Sequence, residues 1–207
     1  MRLYFVRHGE SEANILREVS NRGLKHGLTD KGRQQSLMLA QKFRGIPIAK
    51  VFSSPLLRAI QTAEILVKEL GISYEITDAL REYDCGILEG KSDSVTWEIF
   101  DSVFRDWLQN GNWERRIDQG ESFLDIKERF VPFIENLIEE YQHSSEDIVL
   151  VSHGGTYRCM LPLVLTNVDF PFALEHGFDN ARYVSAEMKQ EKLACLSWCG
   201  EVMPPAL

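Results

Sequence analysis

No stretch of the sequence is apolar for the ~20 residues that a membrane-spanning helix needs, and Met1 to Val6 lacks the apolar core and cleavage site of a secretory leader. A cytoplasmic address with no membrane partner is therefore expected. Basic residues are in deficit: 23 Lys and Arg against 31 Asp and Glu leave a formal charge of −8. That balance argues against nucleic-acid binding, which calls for a basic face. Cysteine is sparse, and Cys85, Cys159, Cys195 and Cys199 form no framework. The Cys195/Cys199 spacing has no second ligand pair to complete a zinc site, so four free, buried thiols are expected. No repeat, low-complexity tract or Pro/Gly/Ser linker divides the chain. Residues 1–207 are accordingly expected to form a single domain.

What is present is an alternation of strand and helix signals. Leu3 to Val6 is a short apolar strand, and Thr29 or Asp30 can cap a helix running to about Phe43, closed by Gly45 and Pro47. Ile48 to Phe52 is the next strand. Ser54 followed by Pro55 reads as an N-cap with proline at the first helical position, and Gly71 ends that helix. Tyr74 to Ile76 is a third strand, Ser122 to Tyr141 a long helix, and Ile148 to Val151 a fully buried strand before a helix opened by Gly154-Gly155. Strand-like runs at about Tyr183 to Met188 and Leu193 to Trp198 close the chain. The pattern predicts an α/β domain of three layers, with a mostly parallel central sheet and helices on both faces. Residues 91–120 fit it least and read as a helical excursion over the site, with Trp97, Phe100, Phe104 and Trp107 on its apolar side.

Ligands of such sheets bind beyond the carboxyl ends of the strands, where Arg7-His8, Ser53-Ser54 with Arg58, and Ser152-His153 all fall. An acidic protein that binds an anion must gather cations locally. Gly9 lets backbone approach a ligand, and Ser11 can cap a short helix containing Asn14, which with Arg7 makes a phosphate cradle. Arg58 sits in the first turn of its helix, where a cation is slightly unfavourable unless an anion binds there. His8 and His153 raise the possibility of a metal, yet no third ligand has suitable spacing and the arginines would repel a cation. No metal and no cofactor are expected. Among the loop acids, Glu82 stands beside Asp84, Glu89 and Glu10, and composition alone does not choose between them.

Arg7-His8-Gly9-Glu10-Ser11-Glu12-Ala13-Asn14, Leu28-Thr29 with Gly32 and Gln35, Ser53-Ser54-Pro55-Leu56 with Arg58-Ala59 and Gln61-Thr62-Ala63, and Ser152-His153-Gly154-Gly155 together resemble the histidine phosphatase superfamily. That superfamily includes cofactor-dependent phosphoglycerate mutases and many phosphatases. The resemblance implies a phosphoglycerate mutase-like fold and a phosphohistidine formed on His8. It further implies that Arg7, Arg58 and His153 bind the phosphoryl oxygens with help from Asn14, and that Glu82 is the general acid. Such a site needs positioning and charge stabilisation above all.

After Glu82 the residues Asp84, Gly86, Glu89 and Gly90 are similar to the phosphatase branch. The mutases usually carry tyrosine where Cys85 stands and asparagine where Gly155 stands. Arg115-Arg116 is similar to a mutase arginine pair but lies farther along the chain. A phosphatase acting on a phosphorylated small molecule is the expected function. The alternatives are mutase-type transfer and a phosphoprotein-binding module without turnover, the latter disfavoured because His8, Glu82 and His153 are all present.

Overall fold

The computed structural model describes residues 1–189 and 192–204 of the 207. Seven strands form one sheet. β1 (Arg2–Arg7), β2 (Ile48–Ser53), β3 (Tyr74–Ile76) and β4 (Asp147–Ser152) are mutually parallel, and β5 (Tyr183–Lys189), β6 (Lys192–Trp198) and β7 (Glu201–Val202) add an antiparallel edge. The order is β3-β2-β4-β1-β5-β6-β7. Inserting β4 between β1 and β2 aligns three carboxyl ends, with Arg7 opposite Ser152 and Ser53 opposite Val151. This is the edge at which an open α/β sheet binds ligands.

Side-chain alternation divides the core in two. Tyr4, Val6, Val51, Val149 and Val151 face α2 (Asp30–Phe43) and α3 (Leu57–Leu70), packing on Leu39, Phe43, Ala63 and Leu66. Leu3, Phe5, Phe52, Ile148 and Leu150 face the opposite layer, which includes α5 (Phe123–Tyr141) and α6 (Gly154–Val164). The α/β architecture with helices on both faces is the one expected. Every residue of β4 is buried, as its unbroken apolar run implies. α4 (Ser94–Asn110) forms most of the excursion, and Trp107 is buried beneath it. All four cysteines are free thiols; Cys199 alone is only half-buried. No described helix is long and apolar enough to cross a membrane.

One helix start differs from the expected one. α3 begins at Leu57, and Ser54 is not its cap. The Ser54 hydroxyl is instead hydrogen-bonded to His153 Nε2 at 2.7 Å and accepts from Leu56 N at 3.3 Å, forming a tight turn ahead of the helix. A long-range partner outweighs the local capping preference. The short helices α1 (Glu12–Leu16) and α7 (Phe170–Glu175) complete the set.

Candidate active site

His8 follows the last residue of β1, and its backbone N–H donates to Ser152 O at 3.1 Å, tying it to the end of β4. The ring is 3% exposed. Its Nδ1 lies 2.7 Å from Gly9 O. A carbonyl oxygen only accepts, so Nδ1 carries the proton and Nε2 keeps its lone pair. Arg58 Nε donates to that nitrogen at 3.1 Å. Burial first, then the charges of Arg58 and Arg7, hold the His8 imidazole well below the usual histidine range. It is therefore a neutral ring whose Nε2 lone pair faces Arg58.

Two arginines flank it. Arg58, 6% exposed, is anchored by donation from Nη1 to Ser20 O at 2.7 Å, and burial brings its guanidinium down to about 10, still protonated at neutral pH. Arg7 donates from Nη1 to Phe178 O, while its Nε is buried with no partner among the described residues. A buried, unpaired cationic donor is costly, and an anion at this end of the cleft would satisfy it. His153, 1% exposed at the start of α6, packs 5.1 Å from the His8 ring. Burial, followed by the nearby positive charges, keeps it neutral too, and its Nδ1 has no partner. Asn14 Oδ1 accepts from Ser11 N at 3.0 Å and from Asn180 Nδ2 at 3.2 Å, which leaves the amide nitrogen for the cleft.

Glu82 reaches the amino end of α6. Its Oε2 accepts from Gly155 N at 3.1 Å and its Oε1 from Thr156 N at 2.7 Å. This approach requires glycine at 155: a Cβ there would lie 2.8 Å from Glu82 Oε1 and 2.6 Å from Tyr83 Cε1. An asparagine at this position would displace the carboxylate. The competing acids are committed elsewhere. Asp84 binds Arg22 and Gly86 N, Glu89 accepts from Asn21 N and Arg22 N, and Glu10 binds Thr29 and Lys31.

Arg7, His8, Asn14, Arg58 and Glu82 thus line one cleft of about 270 Å³, with the His153 ring behind His8 and Gly154 and Gly155 in the wall. The far end is built by Trp97, Phe100, Asp101 and Phe104 of α4, with Glu18 and Arg158. Arg115 and Arg116 stay outside, paired with Asp106 and Asp125. Among the described residues, no group of three or more His, Cys, Asp or Glu side chains is placed to hold a metal ion.

Three contributors escaped the sequence reading. Asn180 Nδ2 donates to His8 O at 3.1 Å from a loop with no motif. The Ser20 carbonyl acts through backbone, which no side-chain pattern reveals. Arg158 was accessible in principle, because it lies four residues after Gly154 on the same helical face.

The sequence matches the histidine phosphatase superfamily (branch 1) over residues 3–200. A protein of Escherichia fergusonii named "probable phosphoglycerate mutase GpmB" is 35% identical over 166 residues, which cover 80% of this chain and 75% of that one. Its namesake in Salmonella arizonae is 34% identical over the same coverage. A mycobacterial glucosyl-3-phosphoglycerate phosphatase superposes with a TM-score of 0.81 at 23% identity, covering 96% of this chain and 98% of that one. The α-ribazole phosphatase of Shigella flexneri gives 0.79 at 23%, covering 99% of each. At these identities the two structures speak for the fold. With the family match spanning nearly the whole chain, this protein belongs to the histidine phosphatase superfamily.

Proposed function

We infer that the chain is a phosphatase that hydrolyses phosphate monoesters of small molecules through a phosphohistidine on His8. The observation that carries the reading is the His8 ring: Nδ1 is pinned by Gly9 O, Nε2 points at Arg58, and the same cleft holds Arg7, whose Nε is buried without a partner among the described residues. Nε2 attacks phosphorus while the ester P–O bond breaks, and the Arg58 Nε–H turns its hydrogen bond from His8 Nε2 to a phosphoryl oxygen. Arg7 and Arg58 offset the charge on the oxygens, with His153 and Asn14 completing the cradle. Glu82 gives its proton to the leaving oxygen. Water then attacks phosphorus while the P–Nε2 bond breaks and returns its electron pair to the neutral His8 ring, Glu82 takes the proton from that water, and inorganic phosphate departs.

A mutase reading is favoured by the names of the 34–35% identical relatives. Against it stands the far end of the cleft, which combines aromatic rings with Asp101 and Glu18. Among the described residues its cation is Arg158, which already donates to Ala173 O and Leu174 O at 2.9 and 2.7 Å. A phosphoglycerate carries a second anion, and this end offers it little. The test is product analysis: inorganic phosphate should accumulate from simple monoesters without a bisphosphate activator. Bisphosphate-primed interconversion of 2- and 3-phosphoglycerate that outpaces hydrolysis would establish the mutase instead.

A further inference from the structure

We propose that Thr156 is a positioning residue for Glu82, whose hydroxyl proton moves between two acceptors and so lets one carboxyl group work in both protonation states. The inference rests on Glu82 being the proton donor. Thr156 is fully buried near the start of α6. Its Oγ1 lies 2.8 Å from Glu82 Oε1 and 2.9 Å from the carbonyl oxygen of Arg81. A hydroxyl has a single proton, so it donates to one of these acceptors at a time.

The two carboxyl oxygens are unequal. Oε1 also accepts from Thr156 N at 2.7 Å and Tyr83 N at 3.2 Å, whereas among the described residues Oε2 accepts only from Gly155 N at 3.1 Å. Oε2 is thus the oxygen with room for a proton. With Glu82 ionised, Thr156 donates to Oε1 and helps disperse the charge. With Oε2 protonated, Oε1 becomes a weaker, neutral acceptor, and the hydroxyl turns to Arg81 O. Only a hydroxyl hydrogen rotates. The proton that reaches the substrate leaves Oε2, and Thr156 keeps its own.

The charged groups acting on Glu82 are Arg7 from the end of β1 and Arg58 from α3, with Arg158, Glu18 and Asp101 farther along the cleft. Its neutral titratable neighbours are Tyr83, Cys85 and Cys159, whose ionisation burial pushes up, and His8 and His153, whose protonation burial pushes down. None of these five changes charge near neutral pH.

The experiment is the pH profile of single-turnover hydrolysis of an alkyl phosphate. Thr156→Val keeps the side chain's shape without its donor. The limb that depends on Glu82 should move upward by about one pH unit, because the carboxylate has lost a stabilising contact. Thr156→Ser should restore the wild-type profile. If Thr156→Val does not fold, Thr156→Ala must show the same shift. An unmoved limb in a folded variant lacking the hydroxyl overturns the inference. Glu82→Gln, run in parallel, separates the two ways to fail. If Glu82→Gln retains the wild-type limb, the Glu82 assignment is wrong and the Thr156 inference falls with it. If Glu82→Gln loses the limb while Thr156→Val leaves it unmoved, only the Thr156 inference fails.

Discussion

The two ends of the cleft are held by different forces. At the inner end, His8, Arg58 and His153 stand at or just beyond the carboxyl ends of parallel strands, and backbone groups anchor them: Gly9 O and Ser152 O for His8, Ser20 O for Arg58. Sheet register sets their positions, and the inner end tolerates little displacement. At the outer end, one helix supplies most of the wall and rests on ring contacts. Phe100 stacks on Tyr83 with centroids 5.6 Å apart, Trp97 meets Phe100 edge-on at 5.1 Å, and Trp97 Nε1 donates to Arg17 O at 2.9 Å. Side-chain packing of this kind accepts volume-conserving change more readily than a hydrogen-bonded register does. The inner end should therefore govern whether phosphorus reacts, and the outer end which alcohol it leaves.

That division is broken most directly at His8. His8→Ala should remove turnover by at least about a thousandfold while the fold persists, as measured by steady-state hydrolysis and circular dichroism. Near-normal hydrolysis would place the nucleophile elsewhere. Glu82→Gln tests the boundary between the two ends. Single-turnover rates should fall much further for an alkyl phosphate than for p-nitrophenyl phosphate, whose leaving group hardly needs a proton. Equal losses would make Glu82 a binding residue. Phe100→Ala sharpens the outer side: KM for aryl phosphates should rise about tenfold, the equivalent of ~1.4 kcal/mol of lost apolar contact. Its kcat should stay within about threefold, and KM for a small alkyl phosphate should barely move. A collapse of kcat would show that α4 takes part in the chemistry.

A further effect concerns stability rather than turnover. Burial depresses protonation of His8 and His153 below the ordinary value of 6.5, so the unfolded chain binds these protons first. The resulting stability is present above pH 6.5 and is lost as the pH falls below it, by up to about 1.4 kcal/mol per pH unit for each ring. Urea unfolding at a series of pH values should show this slope, and His153→Asn should flatten it. An unchanged slope in the variant would mean that His153 is not held neutral.

The sequence made the inner end readable because its residues sit in short runs at strand ends, where alternation of strand and helix already predicts a site. Arg58 drew notice as a cation at a helix start, and the structure places it against His8. Glu82 was not separable from Asp84, Glu89 or Glu10 by composition; the family resemblance singled it out, and in three dimensions the other three are paired elsewhere while Glu82 lines the cleft. Ser54 shows the reverse failure, a strong local capping signal overridden by a partner 99 residues away. Asn180 and Ser20 O were invisible because they act through loops and main chain. The aromatic spacing of 97, 100 and 104 marked the excursion, although no local signal told that its rings would meet Tyr83.

The placement of β1 has a consequence for how the chain acquires its shape. Its neighbours in the sheet are β4 and β5, and the carbonyls of Arg7 and His8 both accept from Ala181 N at 3.1 Å. The segment that carries His8 pairs with residues 147–152 and is closed at its end by Ala181, both far from it along the chain. Such pairings between distant parts of a chain are slow to form. Helices α2 and α3 can assemble around β2 and β3 through shorter-range contacts, but the site has to wait for these distant pairings.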